Sequence, residues 1–240
     1  MSDVLLLGRD GPLTRVTLNR PDKANALDAA LVDALLDAVR IAHADGTRLL
    51  VIEPGPKCLS AGFDFSGYEQ QSDGDLLARF VRIEQLLQAV HHAPFATLAL
   101  ARGRNFGAGA DLFAAAAVRV AAPGTSFRMP GLRFGLQLGT RRLAARIGAD
   151  RARAMLADSR TITAEQALDW GFTTLLAAES DWPALVEAEL ARACALTPQS
   201  QARLNAATLT DTRAADMADL VDSVMQPGLK ARIADYRAGA

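Results

Sequence analysis

Two loops rich in small residues each lie between a short apolar run and a stretch typical of a helix. They are GPKCLSAGFDF, residues 55–65, and RNFGAGADLF, residues 104–113. The N-terminus of a helix has free backbone N–H groups and the positive end of the helix dipole, so it attracts negative charge. Two such N–H groups that converge on one carbonyl oxygen would polarise it and hold an enolate. Either loop alone is more simply explained as a tight strand-to-helix turn that requires small residues.

Asp111 is the acid that could act beside the second loop. A carboxylate at this point could remove a proton from a bound molecule and return it. An acid in the first turn of a helix also stabilises the helix dipole without any catalytic role, and the sequence leaves both interpretations open. Phosphate binding is not expected, because the loop lacks G-x-x-x-x-G-K-[ST] and neither Leu112 nor Phe113 supplies the third glycine of G-x-G-x-x-G.

The composition is that of an ordinary globular chain. It has 240 residues, a formal charge of −1 and 50% apolar residues, so we expect no nucleic-acid partner. No run approaches about 18 strongly apolar residues, and the start of the chain resembles a strand more than a signal peptide, so we expect neither a membrane span nor export.

Cys58 and Cys194 have no metal-ligand spacing and are predicted to be free thiols, which favours a cytoplasmic location. No histidine has zinc-like spacing, and we expect no metal.

Strands and helices alternate over the first part of the chain. Apolar runs on either side of Asp10-Gly11-Pro12 predict a hairpin, and residues 25–46 and 74–94 have the periodicity of amphipathic helices. Buried strands are predicted within 48–55, 95–103 and 118–123, which together indicate an α/β fold with right-handed crossovers. Thr163 and Gln166 form a predicted capping box for a helix that ends at Gly171. Helices are predicted at 181–196, 198–208, 211–225 and 228–238.

Several stretches, in this order, resemble the enoyl-CoA hydratase/isomerase (crotonase) superfamily. They are VTLNRPDKANALD (16–28), KCLSAGFDFSGY (57–68), the long segment from Ala101 to Gly148, and ADSRTITAEQALDWGFTTLL (157–176). The resemblance implies a crotonase spiral of ββα units over residues 1–180. It also implies a C-terminal helical region, 181–240, that builds a homotrimer or a dimer of trimers.

The resemblance also implies an acyl-CoA ligand and a set of site residues. The thioester oxygen would lie between the N–H groups of Phe63 and Ala108, with Asp111 as the acid/base. Coenzyme A would enter as part of the substrate, with no separate cofactor. Its binding region would be formed by Lys23, Ala24, Ala26, Leu27, Ala61, Gly62, Asp64, Phe65 and Gly107. Tyr68, Gly131 and Phe134 are weaker candidates for the acyl pocket, and Asp64 is equally well explained as a helix cap.

The sequence departs from the hydratase pattern at its acids. Hydratases of this family use two glutamates, and here Asp111 stands at the first position and Gly131 at the second. Related isomerases with an aspartate at the first position have further acids where this chain has Gly131 and Gly139. One carboxylate suffices to shift a double bond, so an isomerase or an atypical lyase is favoured over a standard hydratase. A non-catalytic acyl-CoA-binding protein, and a decarboxylase or thioester hydrolase, are the alternatives.

Overall fold

A computed structural model describes residues 4–239. The chain forms a six-stranded sheet and a three-stranded sheet. The larger sheet has the order β1 (Leu5–Asp10), β2 (Leu13–Leu18), β3 (Leu49–Glu53), β4 (Ala96–Ala101), β6 (Val118–Ala121), β9 (Leu175–Leu176). The smaller has the order β5 (Arg104–Phe106), β7 (Ser126–Arg128), β8 (Ile162–Thr163). Residues 1–3 and 240, which the predicted regions 1–180 and 181–240 include, lie outside the described residues.

The larger sheet follows from the apolar pattern of its strands. β1 and β2 form the predicted antiparallel hairpin, with Gly11 at a φ of +54° in its turn. The β2–β3, β3–β4 and β4–β6 pairs are parallel, as the alternation with helices requires. The carboxyl ends of β3 and β4 therefore lie at one edge of the sheet, and this is the edge from which both small-residue loops begin.

Ten α-helices lie within the described residues, and four of them begin at a side-chain cap. The ten helices are α1 (Ala29–Ala44), α2 (Asp73–His91), α3 (Ala108–Ala115), α4 (Thr140–Ile147), α5 (Ala149–Ala157), α6 (Ala164–Trp170), α7 (Trp182–Ala195), α8 (Pro198–Thr208), α9 (Arg213–Met225), α10 (Leu229–Ala238). Asp28 caps α1 through Leu31 N at 2.8 Å. The predicted capping box of Thr163 and Gln166 is confirmed at the start of α6, and Gly171 ends that helix in the left-handed conformation.

The C-terminal helices lie within a residue or two of their predicted bounds. α7 covers one face of the larger sheet, where Trp182 and Val186 pack with Leu49, Val51 and Leu98. α9 and α10 belong to the main core through the buried side chains Leu220, Val224, Leu229 and Ile233. The division at residue 180 and the trimer stay predictions. None of the helices within residues 4–239 is both long enough and apolar enough to cross a membrane.

Candidate active site

Three loops interlock at the edge of the larger sheet. A buried amide, Asn105, joins two of them, because its Oδ1 accepts hydrogen bonds from Leu59 N at 2.9 Å and Ser60 N at 3.2 Å. The third loop runs between β2 and α1. Its residue Asn25 joins it to the others, since Asn25 Nδ2 donates to Cys58 O at 3.0 Å. The hydroxyl of Ser60 donates to Asn25 O at 2.7 Å. Both side-chain amides use their oxygen and their nitrogen in hydrogen bonds. Such buried, fully bonded amides hold these loops in one arrangement.

Glycines allow the two small-residue loops to touch through their backbones. A Cβ at Gly62 would lie 2.4 Å from Phe106 O, and one at Gly109 would lie 2.2 Å from Ser60 O. Gly107 has a φ of +49°, which a residue with a side chain rarely adopts. The glycines of both loops therefore serve close backbone contact, so the loops form one unit.

Phe63 and Ala108 line the same cavity from the two loops. Ala108 is the first residue of α3 and has ordinary helical angles, as a residue with a side chain requires. Neither its N–H nor that of Phe63 donates a hydrogen bond to another residue in the described part of the chain. Free backbone donors at a helix start attract negative charge.

The cavity has a volume of about 110 Å³ and a mostly apolar wall. The wall is formed by residues of the two loops, of the segment after β7 and of the helices α2, α5 and α10: Ala61, Phe63, Phe65, Phe80, Phe106, Gly107, Ala108, Asp111, Met129, Pro130, Gly131, Leu132, Phe134, Leu136, Leu138, Thr140, Leu156, Tyr236. Only Asp111, Thr140 and Tyr236 among these have hydrogen-bonding side chains. The arrangement suits a small apolar group with one reactive end.

Asp111 is the buried acid of this cavity. Its side chain belongs to the first turn of α3, the residue is 4% exposed, and its carboxylate has no hydrogen-bond partner within residues 4–239. The carboxylate packs on the backbone of Gly139, where a Cβ would lie 1.9 Å from Asp111 Oδ1. Burial raises the pKa of the Asp111 carboxyl well above its usual range, while the charge of Arg142 opposes this and that of Glu84 adds to it.

A buried ion pair lies near Asp111. Arg142 in α4 binds Glu84 of α2 through two hydrogen bonds, Nη1–Oε1 at 2.9 Å and Nη2–Oε2 at 2.5 Å. Arg142 also lies 3.6 Å from Asp216 of α9. The paired hydrogen bonds between Arg142 and Glu84 fix the start of α4, and with it Gly139, against α2.

Two arginines and the ring of His91, whose Nδ1 lies 3.3 Å from Ala115 O, surround the C-terminal end of α3. Arg119 donates to the carbonyls of Ala116 and Ala117, and Arg146 donates to those of Ala114 and Ala116. Burial and the charge of Arg146 lower the pKa of Arg119 to about 9. Positive groups at a helix C-terminus stabilise its dipole, so they support the orientation of α3.

Four of the predicted CoA-binding residues line a shallow groove beside the cavity mouth: Lys23, Ala26, Asp64, Phe65. Glu69 and Arg237 line the same groove. Asp64 forms an ion pair with Arg20 at 2.9 Å and accepts a hydrogen bond from Ser66 N at 2.9 Å. Although burial opposes it, these bonds from Ser66 and Arg20 lower the pKa of Asp64. Asp64 thus closes a turn and does not cap a helix.

Other predicted residues shape the backbone or the cavity. Ala24, Leu27 and Gly62 accept hydrogen bonds from Ala61 N, Asp64 N and Leu27 N, respectively. Ala61 and Gly107 line the cavity. Tyr68, in contrast, is buried against Phe65 and Arg237 and does not contribute to the cavity wall.

Gly131 and Phe134, which were predicted for an acyl pocket, both line the cavity, and their contact with an acyl group stays a prediction. Gly131 has no room for a side chain, because a Cβ there would lie 2.9 Å from Leu136 O. The loop after Pro130 has therefore closed over the place that a second acid would need. Phe134 packs against Tyr236, with their ring centroids 5.2 Å apart.

Sequence reasoning missed Thr140, Tyr236 and Asn105. Thr140 begins α4, a helix that the sequence analysis did not predict, and Tyr236 reaches the cavity from a helix about a hundred residues further along the chain. The only signal for Asn105 was its place inside the second loop. Within residues 4–239, no three His, Cys, Asp or Glu side chains group closely enough to hold a metal ion.

Comparison with known proteins agrees with this architecture. The family model described as enoyl-CoA hydratase/isomerase matches residues 9–225. The "Probable enoyl-CoA hydratase echA6" of Mycobacterium bovis is 33% identical over 192 residues, which are 79% of this chain and 76% of that protein.

Solved structures extend the comparison to the fold. A crystal structure from Bordetella parapertussis, named for the enoyl-CoA hydratase/isomerase family, is 50% identical, has a TM-score of 0.97 and covers 99% of both chains. The enoyl-CoA hydratase of Bacillus halodurans, at 19% identity, has the same fold with a TM-score of 0.86 and covers 97% of this chain and 99% of its own. The chain belongs to the enoyl-CoA hydratase/isomerase family and has the crotonase fold.

Proposed function

We propose that this protein acts on an acyl-CoA thioester by forming an enolate. The thioester oxygen accepts hydrogen bonds from Phe63 N–H and Ala108 N–H, and Asp111 moves a proton at the adjacent carbon. Family membership supports the substrate class, since the similar proteins are named for enoyl-CoA. Each donor to a developing oxyanion contributes roughly 10²–10³ in rate.

The observation that carries this proposal is the unpartnered Asp111 carboxyl in an apolar cavity. A structural acid in a core is normally satisfied by hydrogen bonds or an ion pair. Asp111 has neither within the described residues, and it shares the cavity with two free backbone donors. The raised pKa makes its carboxylate a stronger base than an exposed aspartate.

We propose a double-bond shift as the reaction. It requires one group that removes a proton from one carbon and returns it to another, and Asp111 suffices for both. The lack of room at Gly131 argues against a second carboxyl at the hydratase position. The apolar wall favours an unsubstituted hydrocarbon chain as the acyl group.

The groove next to the cavity is proposed to bind the coenzyme A part of the substrate. Lys23 supplies a positive charge for a phosphate, and Phe65 an aromatic face. Backbone groups of Ala24, Leu27, Ala61, Gly62 and Gly107 form the passage between the groove and the cavity. No separate cofactor takes part in this proposal.

We also propose that the chain forms a trimer or a dimer of trimers in the cytoplasm. α8 buries none of its residues against the rest of the described chain, and Leu204 on it is 49% exposed. Light scattering of the purified protein tests this, because a monomer at micromolar concentration contradicts it.

Proton exchange tests the proposed function directly. Butyryl-CoA in D₂O is expected to acquire deuterium at the α carbon with the native protein, and Asp111→Asn is expected to lower this rate at least about 100-fold. Asp37→Asn, an exposed acid far from the cavity, is the matched control. Binding of the ligand without any exchange would instead support an acyl-CoA-binding protein.

The double-bond shift has its own assay. A 3-enoyl-CoA is expected to become the conjugated 2-enoyl-CoA, seen as a rise in thioester absorbance. Exchange without isomerisation would leave the enolate step in place and exclude the double-bond shift. Turnover of malonyl-type substrates would point to decarboxylation.

A further inference from the structure

Arg79 of α2 contacts the residue that carries one of the two proposed oxyanion donors. Its Cζ lies over the ring of Phe63, 4.1 Å from the ring centroid, and its Nη2 donates to Asp64 O at 2.6 Å. Its other terminal nitrogen, Nη1, donates to Gln71 Oε1 at 3.1 Å. Arg79 is partly buried and does not belong to the cavity wall. It therefore reaches Phe63 from outside the cavity and would not touch a substrate.

The ring of Phe63 is held on both faces. Phe80, the next residue of α2, stacks on it with the ring centroids 4.4 Å apart and 21° between the planes. The Arg79 guanidinium has no space on that face, so it occupies the opposite one. A cation is attracted to the face of an aromatic ring, more strongly where water is excluded. Two successive residues of α2 thus fix the position of this ring.

The backbone on either side of Phe63 depends on this support. Gly62 precedes it with a φ of +92°, and a glycine restricts the chain less than any other residue. Leu27 holds one side of the segment, since Leu27 N donates to Gly62 O at 2.7 Å and Asp64 N donates to Leu27 O at 3.2 Å. The C=O and N–H of a trans peptide point in opposite directions, so Phe63 N–H points away from Leu27. The other side is held by Arg79, through the Phe63 ring and the Asp64 carbonyl.

We propose that Arg79 is a positioning residue for the oxyanion donor, because it holds Phe63 N–H at hydrogen-bond distance from the thioester oxygen. This inference rests on the proposed function, since it uses the same donor and the same oxygen. Hydrogen bonds weaken steeply as their length and angle depart from the optimum. Loss of Arg79 should therefore weaken the polarisation of the thioester carbonyl and leave the base, Asp111, in place.

Two variants of Arg79 and one of a neighbouring arginine test this role. Arg79→Met keeps an apolar stem but no cation and no donor, and kcat for deuterium uptake by butyryl-CoA should fall about 10- to 100-fold, with KM within about threefold. Arg79→Lys keeps the charge without the planar guanidinium and should lie between this variant and native protein. Arg82→Gln is the control, because Arg82 is exposed on the same helix and pairs with Asp33 of α1 at 2.5 Å. It should match native protein.

Infrared spectra of the bound ligand separate positioning from a merely structural role. The probe is butyryl-CoA with ¹³C at the thioester carbonyl. Its C=O stretch should lie at lower wavenumber on native protein than in water, because two donors polarise the carbonyl. In Arg79→Met the stretch should return part of the way to its value in water, with Arg79→Lys between and Arg82→Gln at the native value. Lower stability alone does not move the stretch of a ligand bound to folded protein.

Each contrary outcome has its own meaning. A native carbonyl stretch in Arg79→Met contradicts the inference, whether or not exchange falls, and so does an equal change in Arg82→Gln. If Arg79→Met does not fold, Arg79→Lys decides, and native values of stretch and exchange in it contradict the inference. Native protein that polarises the carbonyl without exchanging deuterium contradicts the proposed enolate chemistry alone, and the variants still test Arg79. Native protein that binds butyryl-CoA with neither effect overturns both proposals.

Discussion

The cavity has two walls that are built in different ways. The loop wall, Ala61, Phe63, Phe106, Gly107 and Ala108, is fixed by backbone contacts and by the buried amides of Asn25 and Asn105. The helix wall, residues 129–140 with Leu156 and Tyr236, is formed by side chains, and one of them, Leu132, is 42% exposed. The loop wall presents the two donors, which every substrate of the proposed reaction needs. In the proposed function, the helix wall would contact the acyl chain, which differs among substrates.

This difference predicts that substitutions in the loop wall abolish folding or activity, whereas substitutions in the helix wall change activity gradually. Backbone contacts without free space cannot adapt to a larger residue, because protein interiors are close-packed. Exposed side chains that only fill space can be exchanged with little effect on folding. The following substitutions test this contrast.

Gly109→Ala is expected to have the largest effect. The new Cβ would lie 2.2 Å from Ser60 O, a backbone atom that hydrogen bonds hold in place. We expect most of the folded protein to be lost, or the free energy of unfolding to fall by about 3 kcal/mol or more in urea titrations. Gly74→Ala is the control, since its Cβ would lie 3.6 Å from Ser72 Oγ, and in α2 it should stabilise by up to about 1 kcal/mol. Equal effects of the two variants would contradict the rigid loop wall.

Gly139→Ala is expected to abolish activity with a smaller effect on folding. Its φ is +64° and a Cβ would lie 1.9 Å from Asp111 Oδ1, so the carboxyl must move. A displacement of about 1 Å at reacting atoms lowers rates by on the order of 100-fold. Gly228→Ala has the same left-handed conformation, with a φ of +78° and nothing within 4 Å, so it isolates the backbone strain. If both variants lose the same activity, contact with Asp111 is not the cause.

The pH dependence of folding distinguishes Asp111 from Asp64, which are both buried. The folded pKa of Asp111 is raised, so its protonated form favours folding. The stability it contributes is complete below the ordinary carboxyl range near pH 4 and is lost as pH rises through the folded pKa. Asp64 has a lowered pKa, so its contribution is present above that range and is lost as pH falls.

Urea titrations between pH 4 and 8 measure this effect. The difference in unfolding free energy between native protein and Asp111→Asn should decrease with rising pH, by up to about 1.4 kcal/mol for each tenfold change in proton affinity. For Asp64→Asn, the difference in unfolding free energy from the native protein should instead increase with rising pH, at the acid end of this range. Deuterium exchange should rise with pH over the range in which Asp111 loses its proton, and a flat profile would exclude Asp111 as the base.

Leu132→Ala is expected to have the smallest effect. It removes part of the helix wall and leaves the fold intact, because the side chain is 42% exposed. The KM for a medium-chain 3-enoyl-CoA should rise about tenfold, with kcat and the KM for 3-butenoyl-CoA nearly unchanged. Leu168→Ala, at 41% exposure and outside the cavity, should change neither. A change in kcat alone would mean that the helix wall also positions the reacting atoms.

The sequence predicted the loop wall better than the helix wall. Phe63, Ala108 and Asp111 lie on contiguous motifs, so their positions could be transferred residue by residue. Thr140 and Tyr236 reach the cavity only through long-range packing of α4 and α10, and the apolar pattern of α10 is weak. Tyr68 shows the limit of proximity along the chain, because it follows the first loop directly but packs outside the cavity. Arg142 and Glu84, from different helices, could not be paired without the fold.

The position of α10 affects when the site forms. This last helix closes the helix wall with Tyr236, packs Ile233 into the core and is held by Arg232, which donates to Phe134 O at 2.8 Å. Chains fold from the N-terminus during synthesis, and contacts between distant segments form late. The cavity therefore stays open on this side until α10 has been synthesised and has docked, so closure of the cavity is a late step of folding.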